Sequence, residues 1–371
     1  MSVKRLIDRR KICVCAGSGG VGKTTVSAAI ALGMAADGLK VAVVTIDPAR
    51  RLANSLGLPE LGNREVQVDP ERFQAAGLEV RGELWAMMLD AKRTFDDLVE
   101  KYAPDERSRQ AVLGNRIYQE LSNAVAGSQE YMAMEKLYEL HEGGHYDLIV
   151  LDTPPSRNAL DFLDAPERLA RFIDSRSLQF FLAPGRRGLK IFGRGTGLVF
   201  SILKRVTGID LLQDLSEFFQ SFGDMAEGIN ARAARVNALL ASRQTTFVLV
   251  TTPQIDSVEE AVYFRRRLAE RRLPFSGIVV NRVHDDPGDA GAEGVEDDLG
   301  ELLGDELGRK VARNFDDYRA LAERDRESLQ RLRKEIGAKP LVLVPYLDDD
   351  VYDLAGLERM NEHLFAAGAA A

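Results

Sequence analysis

The sequence predicts an α/β protein in which helices cover both faces of a doubly wound, mostly parallel sheet of about seven or eight strands. Seven short apolar runs carry this prediction, at 11–16, 40–47, 84–89, 146–152, 246–252, 275–281 and 341–347. They are rich in Val and Ile and do not alternate with polar residues, which is typical of parallel strands buried on both faces. Helical patterns separate them, as the crossover connections of a parallel sheet require.

Length and composition limit the domain organisation and the partners. The chain has 371 residues, 45% of them hydrophobic and with a net charge of -8. We expect one domain over 1–371, with a helical insertion subdomain at about 165–240, where the strand spacing is interrupted. The acidic balance disfavours nucleic acid as a partner. We see no signal peptide and no segment of roughly 20 apolar residues. We therefore expect a cytoplasmic protein without a transmembrane segment, which reaches a membrane only through a partner.

A nucleotide-binding motif lies between the first strand and the helix that follows it. Residues 17–24 fit G-x-x-x-x-G-K-[ST]. In such loops the glycines let backbone N–H groups turn onto phosphates, Lys23 places a charge on the β- and γ-phosphates, and the Thr24 hydroxyl ligates Mg²⁺. We therefore predict a P-loop NTPase that binds ATP or ADP with Mg²⁺. The predicted phosphate-binding residues are Gly17, Ser18, Gly19, Gly20, Val21, Gly22, Lys23, Thr24 and Thr25.

Two aspartates follow other strands of the predicted sheet. Asp152 ends the run 146–152, where an acid beside a phosphate loop would hold Mg²⁺ through a water. The predicted switch segment is Asp152, Thr153, Pro154, Pro155 and Ser156. Asp47 allows two interpretations from the residues alone. It is either the N-cap of a helix that Pro48 begins, or an acid that faces the γ-phosphate and orients the attacking water.

Three segments together resemble one family of ATPases. GSGGVGKTT, TIDPARRLANSLGL and LDTPPSRNALDFL are similar to the motifs of the ArsA-type, deviant-Walker ATPases. That family contains the arsenite-pump ATPase and the ATPase that targets tail-anchored membrane proteins. The resemblance implies a Mg²⁺-dependent dimeric ATPase in which Asp47 activates water and Lys23 is catalytic. It also implies that Asn281 and Pro345 bind adenine, and that Gln254 lies near the dimer interface.

Departures from the family pattern limit what the resemblance implies. Only Cys13 and Cys15 are thiols, and the histidines are scattered, so we expect neither arsenite activation nor a zinc site. Ser18 stands where relatives carry a signature lysine that reaches across the dimer, which indicates a bacterial branch lacking that residue. We expect either Arg50 or Arg51 to replace it, or a paralogous partner with an intact lysine to supply it in a heterodimer.

The sequence leaves two functions open. The first is an ATP-hydrolysing dimeric switch that handles a hydrophobic or membrane-protein client, with slow or partner-dependent turnover. The second is a non-hydrolysing nucleotide-binding regulatory subunit of a heterodimer, which the loss of the lysine at Ser18 motivates. A DNA- or membrane-positioning ATPase fits less well, because the C-terminal segment is apolar and mildly acidic.

The insertion at 165–240 either packs on the sheet or the partner, or forms a groove for the client.

Overall fold

One eight-stranded sheet organises the part of the chain that is described. The computed structural model describes residues 2–47, 50–115, 118–119, 128–153, 228–285 and 301–366. The strands are β1 (Ile12–Ala16), β2 (Lys40–Thr45), β3 (Val66–Gln67), β4 (Glu83–Met88), β5 (Leu148–Asp152), β6 (Thr245–Thr251), β7 (Phe275–Val283) and β8 (Leu341–Pro345). Their order is β3-β4-β2-β5-β1-β6-β7-β8. All neighbours pair in parallel except β3 and β4. The predicted fold class is confirmed.

Each of the seven apolar runs overlaps one strand of this sheet, whereas β3 matches no predicted run. β3 has two residues, both exposed, and pairs antiparallel to β4 at the edge of the sheet. Such a strand carries no apolar run, because neither of its residues is buried in a core. It therefore gives no hydrophobic signal that a sequence pattern could reveal.

Helices connect the strands and cover both faces of the sheet. The helices with described bounds are α1 (Val3–Ile7), α2 (Lys23–Ala36), α3 (Arg51–Ser55), α4 (Pro70–Ala75), α5 (Ala91–Tyr102), α6 (Glu106–Leu113), α7 (Ser128–Gly143), α8 (Ile255–Glu270), α9 (Asp305–Ile336) and α10 (Leu354–Leu364). A further helical segment occupies 228–241. Among these described helices, none is long and apolar enough to cross a bilayer.

Two buried clusters lie on opposite faces of the sheet. On one face, alternate strand residues pack against α1, α2, α3, α4 and α10. On the other, the intervening residues pack against α7, the segment 228–241, α8 and the end of α9. Successive strand residues point to opposite faces, so strands covered on both sides must be apolar at every position. This explains the non-alternating runs in the sequence.

The end of the predicted insertion packs directly on the sheet. Within 228–241, Ala233, Val236 and Leu240 are buried in the cluster that contains alternate residues of β1, β5 and β6. Arg232 makes an ion pair with Glu135 of α7 at 2.7 Å, and both side chains are 5% exposed. The rest of the predicted insertion, 165–227, lies outside the described residues.

Candidate nucleotide-binding site

The phosphate loop lies at the carboxyl end of β1, between β5 and β6. After β1, the strands β2 to β5 lie on one side of β1 in the sheet, and β6 to β8 lie on its other side. The direction in which strands are added therefore reverses at β1. Ligands of open α/β sheets bind in the crevice at this kind of switch point. The ends of β1, β2, β5, β6, β7 and β8 all meet at this edge of the sheet, because neighbouring strands in this order are parallel.

Two glycines fix the backbone of the loop. A Cβ on Gly17 would lie 2.0 Å from the carbonyl oxygen of Val250, so only glycine fits against β6. Gly22 has a φ of 91°, and a Cβ there would lie 2.4 Å from Nδ2 of Asn281. Gly22 is also the N-cap of α2, whose first residue is Lys23. The loop therefore ends at a helix N-terminus, where backbone N–H groups and the helix dipole favour an anion.

Lys23 is a buried cation at the start of α2. Its side chain is 6% exposed, and Nζ donates a hydrogen bond of 2.6 Å to the carbonyl oxygen of Ser18. Burial lowers the pKa of Lys23, while the negative charges of Asp152 and Asp47 raise it. The two aspartates are thus close enough to act on the Lys23 ammonium. The arrangement brings together one cation and two acids from three strand ends.

Two threonine hydroxyls hold the carboxylate of Asp152. Thr24 donates to Oδ2 at 2.7 Å, and Thr45 donates to the same oxygen at 2.8 Å. Thr45 and Asp152 are direct partners in the register of β2 and β5, which explains the contact. The other oxygen, Oδ1, is buried and has no hydrogen-bond partner among the described residues.

The electrostatics of Asp152 follow from its burial. The residue is 1% exposed, and this desolvation raises the pKa of Asp152 to about 6, although the hydrogen bonds from Thr24 and Thr45 oppose the rise. A buried acid with one uncompensated oxygen beside a threonine hydroxyl suits a divalent cation, which prefers oxygen ligands. The donor set of Thr24 and Asp152 therefore fits Mg²⁺.

Asp47 follows β2 and lies on the same side of the site. It is half-buried, and its backbone N–H donates to Oγ1 of Thr45 at 3.2 Å. The next helix, α3, begins at Arg51 and has Arg50 as its N-cap. Residues 48–49, which the N-cap interpretation of Asp47 involves, lie outside the described residues, and the action of the Asp47 charge on Lys23 suits the alternative role.

The two arginines expected to replace the signature lysine are both exposed. Arg50 makes a 3.9 Å ion pair with Glu60, and both side chains are largely exposed. Arg51 is close enough that its charge lowers the pKa of Lys23, although it is not the main influence there.

A cavity of about 310 Å³ adjoins the loop on the side of β7 and β8. Its lining includes Gly22, Thr25, Asn281 and Pro345, so the two residues expected to bind adenine meet in one cavity. Asn281 is 5% exposed, and its Nδ2 donates to the carbonyl oxygen of Val21 at 3.0 Å. The volume lies within the range of about 300–1,000 Å³ that small-molecule sites occupy.

A second cavity of about 370 Å³ lies on the other side of the same loop. It is lined by Gly19, Gly20, Val21, Thr252, Pro253, Gln254, Ser257, Arg282, His284, Arg324, Asp325 and Tyr346. Gln254 is exposed at the N-cap position of α8, with no capping hydrogen bond from its side chain. We refer to this space as the outer cavity.

Comparisons with known proteins agree with this geometry. The model of the family described as "Anion-transporting ATPase" matches residues 10–296. The chain belongs to this family. A relative named "ATPase GET3", from Podospora anserina, is 26% identical over 288 residues, which are 76% of each chain. "ATPase ARSA1" of Chlamydomonas reinhardtii is 28% identical over 300 residues, 74% of this chain and 35% of that protein. A "Putative arsenical pump-driving ATPase" of Halobacterium salinarum is 29% identical over 187 residues, 49% of this chain and 28% of its own length.

The resemblance read from the three motifs is thus confirmed as membership of the anion-transporting ATPase family. Within the predicted switch segment of this family member, Asp152 and Thr153 are described, and Thr153 is fixed by two hydrogen bonds. Its backbone N–H and its hydroxyl both donate to the carbonyl oxygen of Cys15, at 3.2 and 2.9 Å. Pro154, Pro155 and Ser156 lie outside the described residues.

Three side chains at this site carry no signal in the motifs that predicted the others. Thr45 joins Asp47 to Asp152, Thr252 lines the outer cavity, and Arg282 lies on the loop itself. Thr45 and Thr252 stand at the ends of strands beside the loop, which is a signal that the register could have revealed. Arg282 comes directly after the predicted strand 275–281, where an exposed arginine has no distinctive pattern.

Proposed function

We propose that this chain binds Mg·ATP at the phosphate loop and hydrolyses it to ADP and phosphate. The observation that carries the proposal is the contact of Thr24 with Asp152, beside the buried Lys23. These three side chains come from the helix after β1 and the end of β5, and they are the groups that cradle phosphates and Mg²⁺ in P-loop enzymes. Membership of an ATPase family supports the same activity.

Nucleotide would be held by residues on both sides of the helix N-terminus. Lys23 would exchange its hydrogen bond with Ser18 for the phosphates, because the charged ammonium prefers an anionic acceptor to a carbonyl. The base would lie in the 310 Å³ cavity against Asn281 and Pro345. Thr24 and Asp152 would hold Mg²⁺, Asp152 through a water, and the bound ion neutralises charge on the phosphates.

Asp47 would orient and activate the attacking water. It follows β2, and its negative charge opposes the lowering of the Lys23 pKa that burial causes. An acid near the phosphate-binding lysine, and hydrogen-bonded through its backbone to Thr45, is positioned for a water near the γ-phosphate.

We further propose that the chain works as a cytoplasmic dimer that couples nucleotide turnover to a hydrophobic or membrane-protein client. The exposed Gly19 and Gly20 and the outer cavity beside them leave one side of the loop accessible to a second subunit. The names of the relatives support an ATPase of the pump-driving or GET3 kind. The client region would include the predicted insertion at 165–240.

Steady-state hydrolysis of Mg·ATP by the purified chain tests the proposal. We expect turnover by the unaltered protein and a loss of at least ~100-fold in Lys23→Met, because the phosphate-binding cation is removed. Arg81→Met is the matched control. Arg81 is an exposed cation just before β4, at the amino ends of the parallel strands and away from the phosphate loop. Tight nucleotide binding without turnover would instead identify the non-hydrolysing regulatory subunit.

A further inference from the structure

The end of β7 contains a bulge in its pairing with β8. The register with β8 shifts between Val280 and Val283. Arg282, inside the bulge, has a φ of 59°, a left-handed conformation that arginine rarely adopts. Bulges commonly redirect a side chain next to a functional site, and backbone strain of this kind persists only where the surroundings enforce it.

Contacts on both sides enforce the bulge. Before it, Asn281 is fixed by its hydrogen bond to the carbonyl oxygen of Val21. After it, the backbone N–H of Tyr346 donates to the carbonyl oxygen of Val283 at 2.8 Å. The backbone N–H of His284 donates to Oδ2 of Asp325 at 3.0 Å, and the ring Nδ1 lies 2.8 Å from the same oxygen.

The imidazole of His284 adds a ring contact to this anchoring. It stacks on the ring of Tyr346, with centroids 5.4 Å apart and planes inclined by 12°. The chain is thus tied to the phosphate loop, to β8 and to α9 within four residues. This leaves the backbone of Arg282 little freedom to relax to an ordinary strand conformation.

The result of the bulge is a cation on the phosphate loop. Nη1 of Arg282 donates to the carbonyl oxygen of Gly20 at 3.3 Å, while the side chain remains exposed. The guanidinium has five N–H donors, so most of them stay available to a ligand. Arg282 borders both the 310 Å³ cavity and the outer cavity.

Two further observations at the outer cavity indicate an anionic ligand. Arg324 of α9 lines it together with Arg282, so two exposed guanidiniums from different elements meet there. Thr252, which is 5% exposed, also lines it. Its buried Oγ1 has no hydrogen-bond partner among the residues that the structure describes. Arginine and hydroxyl donors are the groups that bind phosphate.

We propose that Arg282 is a phosphate-binding residue of this ATPase, the second cation of the loop beside Lys23. Its ligand is the polyphosphate of a nucleotide, held either by the same loop or by the loop of a second copy of the chain. The proposal rests on the proposed nucleotide binding. Arg282 would supply the positive charge that Ser18 does not provide. It belongs to β7, whereas Arg50 and Arg51 lie at the start of α3.

Arg282→Asn tests the proposal, because asparagine tolerates a left-handed backbone and removes the charge. We expect Mg·ATP affinity or turnover to fall by about 10- to 100-fold, the effect of losing one charged hydrogen-bonding group. Arg272→Asn is the matched control. Arg272 is also exposed and left-handed, with a φ of 56°, but it follows α8 and lines neither cavity. It should behave as the unaltered protein does.

Second variants separate phosphate binding from mere support of the loop. Arg282→Lys should retain part of the activity. Ser18→Lys combined with Arg282→Asn should recover turnover, because the new lysine supplies the cation that Arg282→Asn removes. If Arg282 only braces Gly20, neither change helps, the melting temperature falls with the activity, and the proposal is overturned. It is also overturned if Arg282→Asn matches the unaltered protein.

Mixed dimers then identify which loop holds the nucleotide. Lys23→Met subunits retain Arg282 but lack a working loop, whereas Arg282→Asn subunits retain the loop. If Arg282 acts across the dimer, mixing the two restores hydrolysis. If it acts within its own chain, mixing restores nothing, although Arg282→Asn alone stays impaired. Both results support the phosphate-binding role. Failure of the unaltered protein to bind Mg·ATP would instead refute the proposed function itself.

Discussion

Asp152→Asn should stabilise the nucleotide-free protein at alkaline pH relative to the unaltered chain. Burial raises the pKa of Asp152 from 3.8 to about 6, so the native state holds this proton more tightly than the unfolded state does. Below both values the carboxyl is neutral in both states. As the pH rises from 3.8 to about 6, the unfolded chain loses the proton first, and the stability contributed by this group falls.

The magnitude follows from the pKa change. Since one pKa unit corresponds to about 1.4 kcal/mol, ionising buried Asp152 costs the native state ~3 kcal/mol. Asparagine avoids this cost, but its Nδ2 would replace an oxygen that has no partner among the described residues, at a cost of ~1–2 kcal/mol. We therefore expect a net stabilisation of ~1–2 kcal/mol at pH 8 and a small destabilisation near pH 4.

Urea unfolding in EDTA, without nucleotide, provides the assay. The difference in unfolding free energy between variant and unaltered protein should change by ~2.5 kcal/mol between pH 4 and pH 8. Asp147→Asn is the control, because Asp147 is exposed at the start of the same strand. A difference that stays constant with pH, or that favours the variant at low pH, would refute the reasoning. Mg·ATP should stabilise the unaltered chain more than Asp152→Asn.

Two further substitutions test packing and charge. Gly17→Ala should destabilise the protein by ~3 kcal/mol, because its Cβ would lie 2.0 Å from a backbone carbonyl oxygen. Gly62→Ala, with open space around it, should have little effect, and equal melting temperatures for both would contradict this. Glu135→Gln should cost ~3 kcal/mol in urea unfolding because it leaves a buried arginine unpaired. Glu139→Gln, at a half-exposed ion pair, should cost under ~1 kcal/mol.

The sheet was predictable from the sequence because strands that are buried on both faces are apolar at almost every position. Every strand from β1 to β8 except β3 coincides with an apolar run. β3 was not predicted because its two residues are exposed at the edge of the sheet and need not be apolar. The phosphate loop was predictable for a different reason. Its glycines and Lys23 must occupy fixed spacings, whatever the rest of the chain does.

Contacts between distant residues were less accessible to sequence reasoning. The role of Thr45 depends on the register of β2 against β5, which aligns it with Asp152 across 107 positions. Arg282 depends on a bulge that tertiary contacts enforce, and no local pattern signals it. For Asp47, α3 begins only at Arg51, and the residues between them that the N-cap interpretation involves, 48–49, lie outside the described part of the chain.

Turnover and binding by Asp47→Asn test the central claim most directly. Asp47 is the residue that we assign to the attacking water, and its amide variant keeps the size and the backbone contact to Thr45. At saturating Mg·ATP, we predict a loss of at least ~100-fold in hydrolysis, typical of removing a group that acts on the reacting water, with Mg·ATP affinity within about threefold of the unaltered protein. Hydrolysis that is unchanged in Asp47→Asn, or absent from the unaltered chain despite tight Mg·ATP binding, would contradict the account.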